Sequence, residues 1–115
     1  MRNSELNKIL VDNFPQLRES YASEVSWQEG DSTGSHVVYG DVFTPYLREC
    51  LEQNKTDEVK KAFAFLERVL EFNDGYAEEV IALSVLESLA YLFHDQPKLQ
   101  SMLGAISARI LSEVS

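Results

Sequence analysis

The sequence predicts an all-α fold: a small antiparallel stack or bundle of about five helices, α-solenoid-like, with one irregular acidic loop. Three observations carry this expectation. From residue 56 onward, apolar residues recur at i, i+3, i+4 and i+7, the stripe of a helix packed on one face. The connections between stripes are short and polar, so consecutive helices become antiparallel neighbours. Only Val25 and Trp27 alternate with polar residues, enough for one short strand-like piece. A chain of 115 residues is read as one domain, 1–115, with a broken helical arm (1–23), a loop (24–35) and a helical stack (36–115).

Asn3 or Ser4 is suited to cap the first helix, which places Leu6, Ile9 and Leu10 on one face and Glu5 in the first turn. Phe14-Pro15 interrupts it, because a residue before proline avoids the α region. A second short helix is expected over 16–23, with Leu17 and Tyr21 on one side. Residues 24–35, EVSWQEGDSTGS, have the glycine, serine and acid content of a loop. Trp27 within it either caps the core from the loop side or stands exposed as an aromatic anchor.

The segment HVVYGDVFTPYL, 36–47, joins the loop to the stack. Thr44-Pro45 reads as a helix start, with threonine as N-cap and proline in the first turn. Asp41 offers an earlier cap, and Gly40 a break or a close packing point. A single helix over about 41–54, bent near Pro45, is expected, with Leu47, Cys50 and Leu51 on one face.

Thr56 is expected to cap the next helix, whose stripe is Val59, Ala62, Phe63, Leu66, Val69 and Leu70. After a turn at 71–75, residues 76–93 form the longest and most apolar helix. Val80, Leu83, Val85, Leu86, Leu89, Ala90, Leu92 and Phe93 cover over half its circumference and place it centrally. His94-Asp95-Gln96-Pro97 stops it. Asp95 is expected to cap a last helix buried through Leu99, Met102, Leu103, Ile106, Ile110 and Leu111.

Nineteen acids against ten bases give a net charge of −9. That charge repels nucleic acid and anionic membranes and speeds encounter with a basic partner. The single cysteine, Cys50, excludes an internal disulfide and a cysteine-based zinc site, and inside a helix it is expected to be an inert buried thiol. No apolar run approaches the ~18 residues of a membrane span, and no signal peptide is evident, so a cytoplasmic protein is expected.

Chemistry is not visible. His36 and His94 fall in different expected linkers, without metal-pair spacing. Cys50 lies too deep in its helix for a helix N-terminus to stabilise a thiolate. Gly30 and Gly34 lack the lysine and the strand–helix setting of a phosphate loop. Lys60, Lys61 and Arg68 lie on an outer helix face rather than in a basic patch. No catalytic residue, cofactor or metal is expected, and the chain is not read as an enzyme. What remains is a set of aromatics interleaved with acids, the composition of a surface for a basic protein. Its partner-binding candidates are Trp27, Glu29, Asp31, Tyr39, Tyr46 and Glu49; the alternative for the tyrosines is a place at the core edge, and for the acids simple solvation.

The order FPQLRESY, an acidic loop, then HVVYGDVFTPYLRECLEQN resembles a group of small, acidic, all-helical bacterial proteins. The likeness runs from about Phe14 to Phe93. It comprises the Phe14-Pro15-Gln16-Leu17 arm, residues 36–47 and a C-terminal helical hairpin. Such proteins resemble immunity proteins of bacterial toxin systems, including contact-dependent growth inhibition. The resemblance implies a partner, a cognate toxin domain and often a basic nuclease, whose active site the immunity protein covers with carboxylates. The alternative is a helical protein–protein adaptor or regulatory module that works through a groove.

Overall fold

Glu5 starts the first helix, α1 (Asn3–Asn13), by accepting the Arg2 amide at 3.0 Å. Phe14 ends it, and Pro15 opens a single 3-10 turn, Pro15–Leu17, that leads into α2 (Arg18–Ser26). The computed structural model describes all 115 residues, as seven helices without a strand. The arm is therefore helical through Ser26, and the expected strand-like piece at Val25 and Trp27 does not form. The irregular stretch shrinks to 27–34 and contains a 3-10 turn, Gly30–Ser32.

The next helix, α3 (35–52), corrects the sequence reading most. It begins at Ser35, six residues before the expected Asp41, and runs on through Thr44 and Pro45. Thr44 is therefore not an N-cap, Asp41 caps nothing, and His36 lies in a helix rather than a linker. The amide that starts α3 is capped from another helix: Ser35 N donates to Asn3 Oδ1 at 3.0 Å. Buried Asn7 secures the same corner. It donates to the Thr33 and Asp31 carbonyls (2.8 and 3.2 Å) and accepts the Ser35 hydroxyl (2.8 Å).

Three further helices follow: α4 (Thr56–Leu70), α5 (75–93) and, after a short α6 (Pro97–Gln100), α7 (Ala105–Val114). Asn54, Asn73 and Asp95 close α3, α4 and α5 with φ of 53°, 55° and 57°, the left-handed conformation these two residue types tolerate best. Thr56 makes no capping bond to α4, and Asp95 none to α6. The expected last helix is two pieces, broken over 101–104. About five helices thus become seven because the N-terminal arm forms two and the C-terminal one divides into two.

Both long helices contain a π turn, Tyr39–Phe43 in α3 and Ile81–Leu86 in α5. Their buried residues explain it. Ser35, Tyr39, Phe43 and Leu47 recur every four residues, as do Ala77, Ile81, Val85, Leu89 and Phe93. In an α-helix each i+4 step overshoots a full turn by about 40°, so such a row winds off the core. A wider π turn winds it back. Each helix therefore presents straight four-residue rows.

Helix α5 is central. It lies between α3 and α7 and also meets α4. Its N-terminal part faces that of α3 and its C-terminal part faces that of α3, so the two run parallel with their π turns together. Leu86 and Leu89 are fully buried there, whereas Leu83, assigned to the buried surface from sequence, is 46% exposed. Phe14, Tyr39, Phe43 and Phe65 form an aromatic cluster with centroids 5.1 to 6.4 Å apart that joins α1, α3 and α4.

The last helix has its own device. Glu67 of α4 accepts Ile106 N and Ser107 N at 3.0 Å each, and the Ser107 hydroxyl at 2.8 Å. It caps α7 from outside. A Cβ on Gly104 would overlap the Glu67 carboxyl, so only glycine lets the two segments meet this closely.

Candidate functional site

The six candidate contact residues divide. Trp27 stands at the end of α2 and is 73% exposed, the anchor alternative rather than the core cap. Glu29 and Asp31 beside it are exposed. Their loop is well tied: Thr33 is buried, donates its hydroxyl to the Gly30 carbonyl (2.7 Å) and accepts the Glu29 amide (3.2 Å). Asp31 Oδ1 accepts the Tyr21 hydroxyl at 2.8 Å. Desolvation, followed by that bond, pushes the Tyr21 phenol up to about 12.

Tyr39 is not a surface residue. It is fully buried, donates its hydroxyl to the Leu6 carbonyl at 2.7 Å, and has its ionisation pushed up by burial. The row spacing of four places it inward on α3, which corrects the expectation of a rim position. Tyr46 is half-buried against Phe14, and its hydroxyl accepts Gln16 Nε2 at 3.1 Å. Glu49 is exposed. The loop group sits at the Asn7 level of α1 and Tyr46 at the Phe14 level, about 10 Å further along that helix. The candidates are two groups, not one surface.

Sequence reasoning missed the junction of the two π turns. Ser84 of α5 sits at its centre. Its hydroxyl lies 2.7 Å from His36 Nδ1, and its carbonyl accepts the Thr44 hydroxyl at 2.7 Å. Gly40 lies against it: a Cβ placed there would stand at ordinary contact distance, 3.9 Å, from the Ser84 Cβ. Glu79 Oε1 is 3.7 Å from His36 Nε2, and the Tyr76 ring meets the imidazole edge-on at 5.7 Å. The only forewarning was the constant spacing of four in both segments.

Serine, histidine and glutamate in this order resemble a nucleophile, base and orienting acid. The setting differs: Ser84 lies mid-helix, where amides are engaged along the backbone and do not form an oxyanion hole. The cluster's evident work is to join α3 to α5. Cys50 is buried, and desolvation raises its thiol above the usual range, the reverse of an activated nucleophile. His94 is exposed and lies 3.5 Å from its neighbour Asp95. No group of three or more His, Cys, Asp or Glu is arranged to hold a metal ion. No helix is long and apolar enough to cross a membrane.

An apolar opening lies elsewhere. A cleft of about 450 Å³ lies where the ends of α3 and α5 meet the start of α4 and the α6 segment, with Leu51, Val59, Leu92, Leu99 and Met102 among its walls.

The class these features define is an all-α protein with acidic helix faces. The chain belongs to the family described as a domain of unknown function, DUF7674, which matches residues 7–113. No curated protein and no solved structure matches it.

Proposed function

We propose that this chain is a non-catalytic immunity protein, acting in the cytoplasm, that binds a basic bacterial toxin domain of nuclease type and neutralises it by covering its active site. The observation that carries the reading is the display of free carboxylate. Of 19 acids, only Glu5, Asp12, Glu78 and Glu113 pair with a lysine or arginine, and Asp74 pairs with the N-terminal amine. Of the other fourteen, Glu67 caps α7 and Glu79 and Asp95 stand beside histidines; the remaining eleven meet no lysine, arginine or histidine at ion-pair distance. Carboxylates on a rigid helical frame can take the place of nucleic-acid phosphates against a nuclease's lysines and arginines.

The test is to inspect the reading frames that adjoin this gene for a basic toxin domain and to co-express the chain with it; an isolated locus without one counts against the reading. Growth is rescued under the proposal, and the association rate of the purified pair falls about tenfold or more as salt rises from low to physiological and beyond. Unrescued growth refutes it. Reversing Glu29 and Asp31 to lysine weakens rescue only if the Trp27 loop is the contact.

A second reading is favoured by the cleft at Leu51, Val59, Leu92, Leu99 and Met102. A helical adaptor would seat an apolar peptide segment there. Salt-insensitive binding of such a segment would distinguish it.

A further inference from the structure

The geometry points to a docking face for a basic amphipathic helix of a protein partner, built from two rows: Val37, Asp41, Pro45 and Glu49 on α3, and Glu79, Leu83, Glu87 and Tyr91 on α5. It rests on the binding-protein reading and names its surface.

Position comes first. His36, Gly40 and Thr44 form the row of α3 that meets α5, and Ser84 lies in the α5 row that meets α3. The helices are parallel and wind with the same hand. The row one residue after the contact row on α3 and the row one residue before it on α5 therefore turn to the same side. That side is solvent: Asp41, Pro45, Glu49, Glu79, Leu83, Glu87 and Tyr91 are all exposed. Because of the π turns the α5 row stays straight for about 18 Å, from Glu79 to Tyr91. Two adjacent parallel helices present a groove between their outer rows, and helix ridges pack into such grooves.

Chemistry comes second. None of Asp41, Glu49, Glu79 and Glu87 pairs with a lysine or arginine; Glu79 meets only His36, and Glu49 only Gln53. Helix α5 contains no lysine or arginine, and α3 only Arg48. Set between the carboxylates, Leu83 is 46% and Tyr91 61% exposed. An aliphatic and an aromatic side chain ringed by unpaired acids complement a helix with one apolar stripe flanked by lysines. A second copy fits badly, since a two-fold contact would set these carboxylates against themselves.

The test is a nuclear magnetic resonance titration of the isotope-labelled chain with two synthetic lysine–leucine peptides at about 150 mM salt, where exposed charges are screened beyond about 8 Å. The peptides share one composition; one is an amphipathic helix and the other is scrambled. The amphipathic peptide should shift amides along both rows and bind about tenfold tighter than the scrambled one, a difference of about 1.4 kcal/mol. Leu83→Ser with Tyr91→Ser should abolish that preference, while Trp27→Ser preserves it; circular dichroism melting checks that each variant is folded. Equal binding of both peptides overturns the face. Shifts confined to the Trp27 loop overturn it and leave the binding-protein reading standing. Absence of binding by either peptide, together with unrescued growth in the toxin assay, removes both.

Discussion

Replacing Glu67 by alanine removes the cap of α7 without touching α7 itself. The carboxylate accepts two backbone amides and one hydroxyl, at 2.8 to 3.0 Å, and Ser107 is completely buried. A hydrogen bond to a charged group contributes about 1.5–3 kcal/mol, and a helix cap about 1 kcal/mol. The three bonds share one carboxylate and do not add, so the expected loss is about 2–3 kcal/mol. Unfolding entropy of about 2.1 cal/mol/K per residue over 115 residues converts this to a Tm loss of about 10 °C. Acid gives an independent check. Desolvation raises the Glu67 pKa, but the Ile106 and Ser107 bonds outweigh it and hold it below 4.5. Its contribution is therefore full above about pH 4.5 and is lost as pH falls through the lower folded value. Thermal melts of the native chain and of Glu67→Ala should differ by about 10 °C at pH 7, and the difference should narrow as pH falls below about 4.5. A difference under ~2 °C at pH 7, or one that persists unchanged in acid, refutes the cap.

Gly104→Ala should cost about 1–3 kcal/mol, because the new methyl displaces the Glu67 carboxyl, and much less in a Glu67→Ala background; denaturant melts of the double-mutant cycle measure the coupling. Leu86→Ala should cost about 2–5 kcal/mol by urea titration, and a loss under ~1 kcal/mol would remove α5 from the centre of the fold. Tyr39→Phe should cost about 1–3 kcal/mol, since the buried Leu6 carbonyl loses its hydroxyl donor, and should leave partner binding unchanged. Weakened binding with unchanged stability would return Tyr39 to the surface.

Helix content and the central place of α5 were legible because apolar periodicity reports burial directly. Val59, Ala62, Phe63, Leu66, Val69 and Leu70 are all buried as their spacing requires. Helix starts were not legible where the cap comes from elsewhere. Asn3 serves Ser35 across 32 residues, and Glu67 serves Ser107 across 40. A local search instead settles on Thr44, Thr56 and Asp95, which carry the right side chains in the wrong places. Leu83 misled because its apolar side chain fits a wide buried surface, whereas the row of four that turns inward on α5 passes it by. Tyr39 was misplaced because the helix was expected to begin only at Asp41, so no helical period reached it. Trp27 was ambiguous because a lone aromatic in a polar loop has no period to place it.

The Glu67 cap also fixes a sequence of events. The first amides of α7 find their acceptor only after α4 has formed and been brought alongside, a closure of 39 or 40 residues. Such closures come after local turns in folding. Parting of α4 from α7 therefore uncaps the start of the last helix. Its amides at Ile106 and Ser107 would report that parting by exchanging with solvent before those of α5, whose π turn is held between two neighbours.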